Sequence, residues 1–221
     1  MPHIRLYLDT AKVDAWQRWL PTGLFYGVTC NPLLLERAEV PCELAILAKM
    51  AHQAFELGAQ EVHLQAWGES ASALEKRGMQ LAAIGDRVVV KLPATKAGTT
   101  AASALIAQGI PVTITAVYAV QQALIAASIG ASYVAPYLGR MNDLGRDGRS
   151  QVAQMQQLLS AVQSQTRVLT ASIREIEDIT LLAALGVDTF TFSEAIARAF
   201  FEVPETIEAT ADFERAAMSK A

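Results

Sequence analysis

A chain of 221 residues, 52% hydrophobic and 18% charged, is long enough to bury a sizeable core and too apolar for intrinsic disorder. A formal charge of −4 without a basic stripe argues against nucleic acid as the main partner, and no apolar run approaches the roughly 18 residues needed to span a membrane. Cys30 and Cys42 lack metal-ligand spacing and His3, His52 and His63 do not cluster, so no metal or cofactor is expected; two lone thiols suit a reducing cytoplasm.

The first residues, Met-Pro-His-Ile-Arg, enter a strand pattern at once and lack the shape of a signal peptide. Short runs rich in β-branched residues then recur at 4–8, 25–29, 62–66, 88–92, 112–115, 133–137, 167–171 and 189–192. Between them lie alanine- and leucine-rich segments of helical period, such as those at 41–57, 70–84, 99–108, 117–129, 150–164 and 173–185. Gly58, Gly85, Gly109, Gly130 and Gly186 each follow such a segment shortly before the next strand, where helices stop. Strand and helix alternating eight times predict an α/β chain forming one (β/α)8 TIM-barrel domain over residues 1–221. A doubly wound open sheet is the competitor, but it usually carries a glycine-rich loop after its first strand, and here that strand ends Leu8-Asp-Thr10. Residues 204–218 form a further amphipathic helix, with Ile207, Phe213 and Met218 apolar, suited to packing on the barrel or on a neighbouring subunit.

The fourth run, Val88-Val-Val-Lys-Leu92, holds the least expected residue. Lys91 shares a strand face with Val89, and Pro93 stops the ladder just beyond it, so the lysine lies at the strand's carboxyl end. Desolvation disfavours an ammonium, which suits a lysine there to act as a neutral nucleophile. A lysine snorkelling from a strand end, or paired to a carboxylate, is the alternative.

Barrel enzymes place their chemistry at the carboxyl ends of the strands. Those ends carry Asp9, Thr29 with Asn31, Gln65, Lys91, Thr115, Tyr137 and Ser172. Parity turns Lys91, Gln65, Thr115 and Tyr137 to the barrel interior with Val89, His63, Thr113 and Ala135, so a polar pocket at the barrel mouth is expected. Plainer roles stay open. Asp9-Thr10 also suits a helix cap, Asn31-Pro32 a turn before a helix, Tyr137 barrel packing, and Arg140 a surface ion pair. His63 reads as a satisfied core histidine, and Lys12 and Lys96 as solvated.

Gly27-Val-Thr-Cys-Asn-Pro32 and Val88-Val-Val-Lys-Leu-Pro-Ala-Thr-Lys-Ala-Gly98 resemble the two signature motifs of the transaldolase family. Leu8-Asp-Thr10, Ala135-Pro-Tyr-Leu-Gly-Arg140 and Ala171-Ser-Ile-Arg174 resemble further family segments in the family's order, so the likeness spans essentially the whole chain. The resemblance implies a metal-free Schiff-base enzyme whose lysine on the fourth strand is Lys91. Gln65, Thr115 and Tyr137 match the fructose-6-phosphate aldolase branch, where longer transaldolases carry glutamate and phenylalanine in place of Gln65 and Tyr137. It further implies Tyr137 with Gln65 and Thr115 in proton transfer, Asp9, Thr29 and Asn31 at the substrate hydroxyls, and Arg140, Ser172 and Arg174 at a phosphate. Sugar phosphates with small ketones or aldehydes are the implied partners, and a homo-oligomer, pentamer or decamer, the implied assembly. Cys30, Leu33, Thr99 and Arg174 depart from the common pattern, and residues 141–148 read as an individual loop.

Overall fold

Eight short parallel strands close into a barrel in chain order, each strand pairing with the next and the last with the first. The computed structural model describes residues 4–219, so His3 lies outside the described residues. The strands are β1 (Arg5–Asp9), β2 (Gly27–Thr29), β3 (Glu61–Gln65), β4 (Val88–Pro93), β5 (Val112–Val117), β6 (Tyr133–Pro136), β7 (Arg167–Thr170) and β8 (Thr189–Phe192). Helices α1 (Val13–Trp19), α2 (Pro32–Arg37), α3 (Leu44–Glu56), α4 (Ala71–Ala82), α5 (Lys96–Ile106) and α6 (Gln122–Ile129) accompany the first half and the middle of the chain. They are followed by α7 (Leu138–Asp143), α8 (Gly148–Ala161), α9 (Ile176–Ala184), α10 (Glu194–Ala199) and α11 (Pro204–Met218). The expected (β/α)8 TIM barrel with a C-terminal helix is therefore the architecture.

Pleat alternation sorts each strand into two faces. Leu8, Val28, Leu64, Val90, Ile114 and Val134 point outward into the layer between barrel and helices, and all are buried. The inward positions are unusually polar. Tyr7, His63, Thr113, Thr189 and Thr191 fill the interior with Val89 and Leu169, and all are buried. At its lower end Glu61 accepts hydrogen bonds from Arg5 Nη1 at 3.1 Å, Tyr7 Oη at 2.8 Å and Tyr133 Oη at 2.7 Å. His63 Nε2 lies 3.2 Å from the same carboxylate and Nδ1 lies 3.0 Å from Thr113 Oγ1. An ionised carboxylate only accepts, so Nε2 carries the proton and Thr113 donates to Nδ1. His63 is thus a satisfied core histidine. Burial raises the Glu61 carboxyl, but the hydrogen bond from His63, with the bonds from Tyr133 and Tyr7, outweighs it and holds the group at about 2. Burial pushes the His63 imidazole down, against the pull of Glu61.

Several boundaries differ from expectation. The helix expected from 117 starts at Gln122, because β5 runs on through Val117; that expected from 173 starts at Ile176, and that from 99 starts earlier, at Lys96. Residues 141–148 are not an individual loop: they comprise the end of α7, a tight turn at Gly145 and the start of α8. Neither Asp9 nor Thr10 caps α1, whose N-cap is Lys12 without a side-chain bond; Thr10 Oγ1 only accepts from the Lys12 N–H at 3.2 Å. The C-terminal helix α11 buries no residue against the barrel, leaving Ile207, Phe213 and Met218 exposed. Among the described residues, no helix is long and apolar enough to cross a membrane, and no group of His, Cys, Asp and Glu could hold a metal ion.

Candidate active site

The lysine strand ends where two constraints meet. Pro93 closes β4, and Thr95 then caps α5, its Oγ1 accepting from the Gly98 N–H at 3.1 Å. Gly98 lies so close that a Cβ there would sit 2.0 Å from the Pro93 carbonyl oxygen, so only glycine lets the helix return onto the strand end. This packing fixes the backbone that presents Lys91. The side chain is 5% exposed, and Nζ donates to the Cys30 carbonyl at 3.1 Å. Among the described residues no carboxylate pairs with it, so the snorkelling and salt-bridged alternatives do not describe this lysine. Gln65 stands opposite Lys91 in the β3–β4 register, and Thr113 flanks it on β5.

The Cys30 carbonyl is aimed by the turn after β2. Its N–H donates to His63 O at 2.9 Å, and Asn31 then caps α2, Oδ1 accepting from the Leu34 N–H at 3.1 Å with Pro32 at the first helical position. Asn31 thus opens a helix and also lines the pocket described below. Burial pushes the Cys30 thiol up to about 12, so it stays protonated beside the lysine.

A pocket of about 280 Å³ opens at the carboxyl ends of the strands. Six expected residues line it: Asp9, Asn31, Tyr137, Arg140, Ser172 and Arg174. Lys91, Gln65, Thr115 and Thr29 do not. Thr29 is fully buried; it donates to Asp9 Oδ1 at 2.6 Å and must accept from Thr191 Oγ1, also at 2.6 Å. Its place is under Asp9, orienting that carboxylate. Thr115 Oγ1 and Tyr137 Oη are 3.0 Å apart, joining the ends of β5 and β6.

One side of the pocket is cationic. Arg140, on α7, lies with Cζ 4.8 Å from the centre of the Tyr137 ring and donates from Nη1 to Tyr118 Oη at 3.3 Å, not to a surface carboxylate. That hydrogen bond and partial burial act in opposite senses on the guanidinium, with the bond prevailing and raising it. Ser172 holds a left-handed φ of 59°, and its carbonyl accepts from the Gly139 N–H at 2.9 Å, locking β7's end to α7. Arg174 pairs with Asp143 in the same wall. Arg37, from α2, is a lining residue that the strand ends did not reveal, since it comes from the last turn of a six-residue helix. Of the three lining arginines Arg174 is paired to Asp143, and Arg37 and Arg140 against the lining carboxylate Asp9 suit the pocket to a phosphate, which accepts charge-assisted hydrogen bonds.

A family model described as Transaldolase/Fructose-6-phosphate aldolase matches residues 6–221. Among curated relatives, a probable transaldolase of Thermus thermophilus is 35% identical over 208 residues, covering 92% of this chain and 93% of that one. Probable transaldolases of Aquifex aeolicus and Methanococcus vannielii are 32% and 34% identical over 92% and 85% of this chain, and over 91% and 85% of theirs.

Proposed function

The chain belongs to the transaldolase/fructose-6-phosphate aldolase family, and from that premise we propose that it is a Schiff-base aldolase which reversibly cleaves fructose 6-phosphate to dihydroxyacetone and glyceraldehyde 3-phosphate. The observation that carries this reading is Lys91, an almost fully buried lysine at the end of the fourth barrel strand, without a carboxylate partner among the described residues.

In this reading neutral Lys91 Nζ attacks the C2 carbonyl of the ketose. The carbinolamine loses water to form an iminium, and the C3–C4 bonding electrons flow into it as that bond breaks. Tyr137 Oη, paired to Thr115, relays the proton taken from the C4 hydroxyl, with Gln65 beside the lysine. A phenol does this without placing a second charge next to the iminium. Protonation of the enamine and addition of water release dihydroxyacetone and restore the amine. Asp9, held by Thr29, and Asn31 bind the substrate hydroxyls, while Arg140, Ser172 and Arg174 bind the phosphate.

The second reading is a transaldolase, in which the dihydroxyacetone unit stays on Lys91 until an aldose phosphate accepts it. The names of the relatives support it, and the chemistry up to the enamine is shared. Fructose 6-phosphate without acceptor separates the two. Steady release of glyceraldehyde 3-phosphate, absent in Lys91→Met, supports the aldolase; turnover only after erythrose 4-phosphate is added supports the transferase. No turnover under either condition defeats both.

The protein is further proposed to act in the cytoplasm as a homo-oligomer, a pentamer or decamer, with α11 reaching a neighbour. Three apolar side chains of α11 that are exposed, Ile207, Phe213 and Met218 at 59%, 70% and 74%, support that contact. Light scattering on the full chain and on a chain ending at Val203 tests it: a smaller assembly for the shorter chain is expected, and an unchanged one contradicts it.

A further inference from the structure

We propose that Tyr118 is a positioning residue that couples the phosphate-binding Arg140 to the proton-relaying Tyr137, so that the reaction favours phosphorylated over unphosphorylated ketoses. The inference rests on the Schiff-base reading above. It begins with an irregularity in β5. Thr113 and Ile114 pair with Tyr133 and Val134, but the next pairing is Val117 with Pro136, so β5 holds one residue more than β6. The extra residue is a bulge, and Ala116 within it has a left-handed φ of 57°. Bulges re-aim side chains and concentrate beside active sites. Here the bulge resets the pleat: Val117 turns outward into the buried core where simple alternation from Thr115 would have turned it inward, and Tyr118 follows it towards Tyr137.

Tyr118 is then held on every side. Its N–H donates to Gln122 Oε1 at 2.8 Å, with the Ala119 N–H sharing that acceptor at 3.1 Å. Its carbonyl accepts from Arg146 Nη1 at 2.8 Å. Its ring meets the Tyr137 ring edge-on, with centroids 5.6 Å apart and planes at 73°. The Arg140 guanidinium sits against both tyrosines, bonded to the hydroxyl of one and over the ring of the other. Tyr137 closes the circuit through its hydroxyl to Thr115, at the start of the same bulge. A phosphate that engages Arg140 therefore acts on a group already bearing on the Tyr137 ring, and the Tyr118 hydroxyl fixes where that guanidinium stands.

Tyr118→Phe removes only the hydroxyl. The test compares kcat/KM for fructose 6-phosphate and for fructose, with erythrose present throughout as an unphosphorylated acceptor so that a lyase and a transferase both turn over. We expect the preference for the phosphorylated ketose to fall about tenfold in Tyr118→Phe, the size of one hydrogen bond to a charged group, with fructose changed less than about twofold. In an Arg140→Met background the same substitution should change the preference by less than about twofold, because the partner is gone. An equal fall on both ketoses, or a full tenfold effect without Arg140, overturns the coupling and leaves Tyr118 as packing. Borohydride trapping of the ketose on Lys91 is run on each variant. Adducts throughout keep the Schiff-base reading whatever the kinetics say, and none on the wild type overturns that reading and this inference together.

Discussion

Glu61→Gln makes the clearest test of how the barrel interior is held. The carboxylate accepts from Arg5, Tyr7, Tyr133 and His63, with a side chain only 20% exposed. Removing the charge leaves the largely buried Arg5 guanidinium without its counter-ion, a change that costs about 3–5 kcal/mol when one partner of a buried pair is lost. The pH dependence follows from the Glu61 carboxyl. Its folded-state value of about 2 lies below the ordinary 4.5, so its contribution is complete above 4.5 and declines as the pH falls towards 2. At about 1.4 kcal/mol per pH unit, that interval corresponds to about 3 kcal/mol. Urea unfolding of wild type and variant at pH 7, 4, 3 and 2 would follow it. The expected result is a large stability difference at pH 7 that shrinks by about 3 kcal/mol towards pH 2; parallel curves with a constant difference would refute the assignment of Glu61 as the ionised centre of this cluster.

Two further substitutions probe the site. Tyr137→Phe deletes the hydroxyl bonded to Thr115; kcat should fall about 10²-fold or more, as loss of a proton-transfer group does, while borohydride still traps the ketose on Lys91, and stopped-flow or steady-state kinetics beside mass spectrometry would show both. Gly98→Ala forces a Cβ against the Pro93 carbonyl and should destabilise the protein by about 1–3 kcal/mol in urea, with activity falling as the Lys91 strand end shifts; an unchanged midpoint would contradict the tight return of α5.

The strands were legible because their signal is chemical as well as periodic: β-branched residues, a polar residue at the carboxyl ends of the first seven, and a glycine shortly before five of them. The lysine stood out for the same reason, an ion where desolvation is costly. Helices α1, α2, α7 and α10, of six or seven residues, escaped the periodic reading because two turns are too few to establish a 3.6-residue pattern. Arg37 was lost with α2. The Ala116 bulge left no mark, since alanine is not a residue that signals a left-handed conformation. Arg5 and Glu61, at the amino ends of their strands, read as boundaries; only barrel closure shows that they and the tyrosines from β1 and β6 converge.

Lys91 as the Schiff-base nucleophile is the centre of the account, and one experiment addresses it directly. The protein is incubated with fructose 6-phosphate, reduced with sodium borohydride, digested and mapped by mass spectrometry. A reduced three-carbon or six-carbon ketose adduct on Lys91, lost in Lys91→Met, is the predicted result. No adduct, or an adduct carried instead by Lys96 or another lysine, would contradict it.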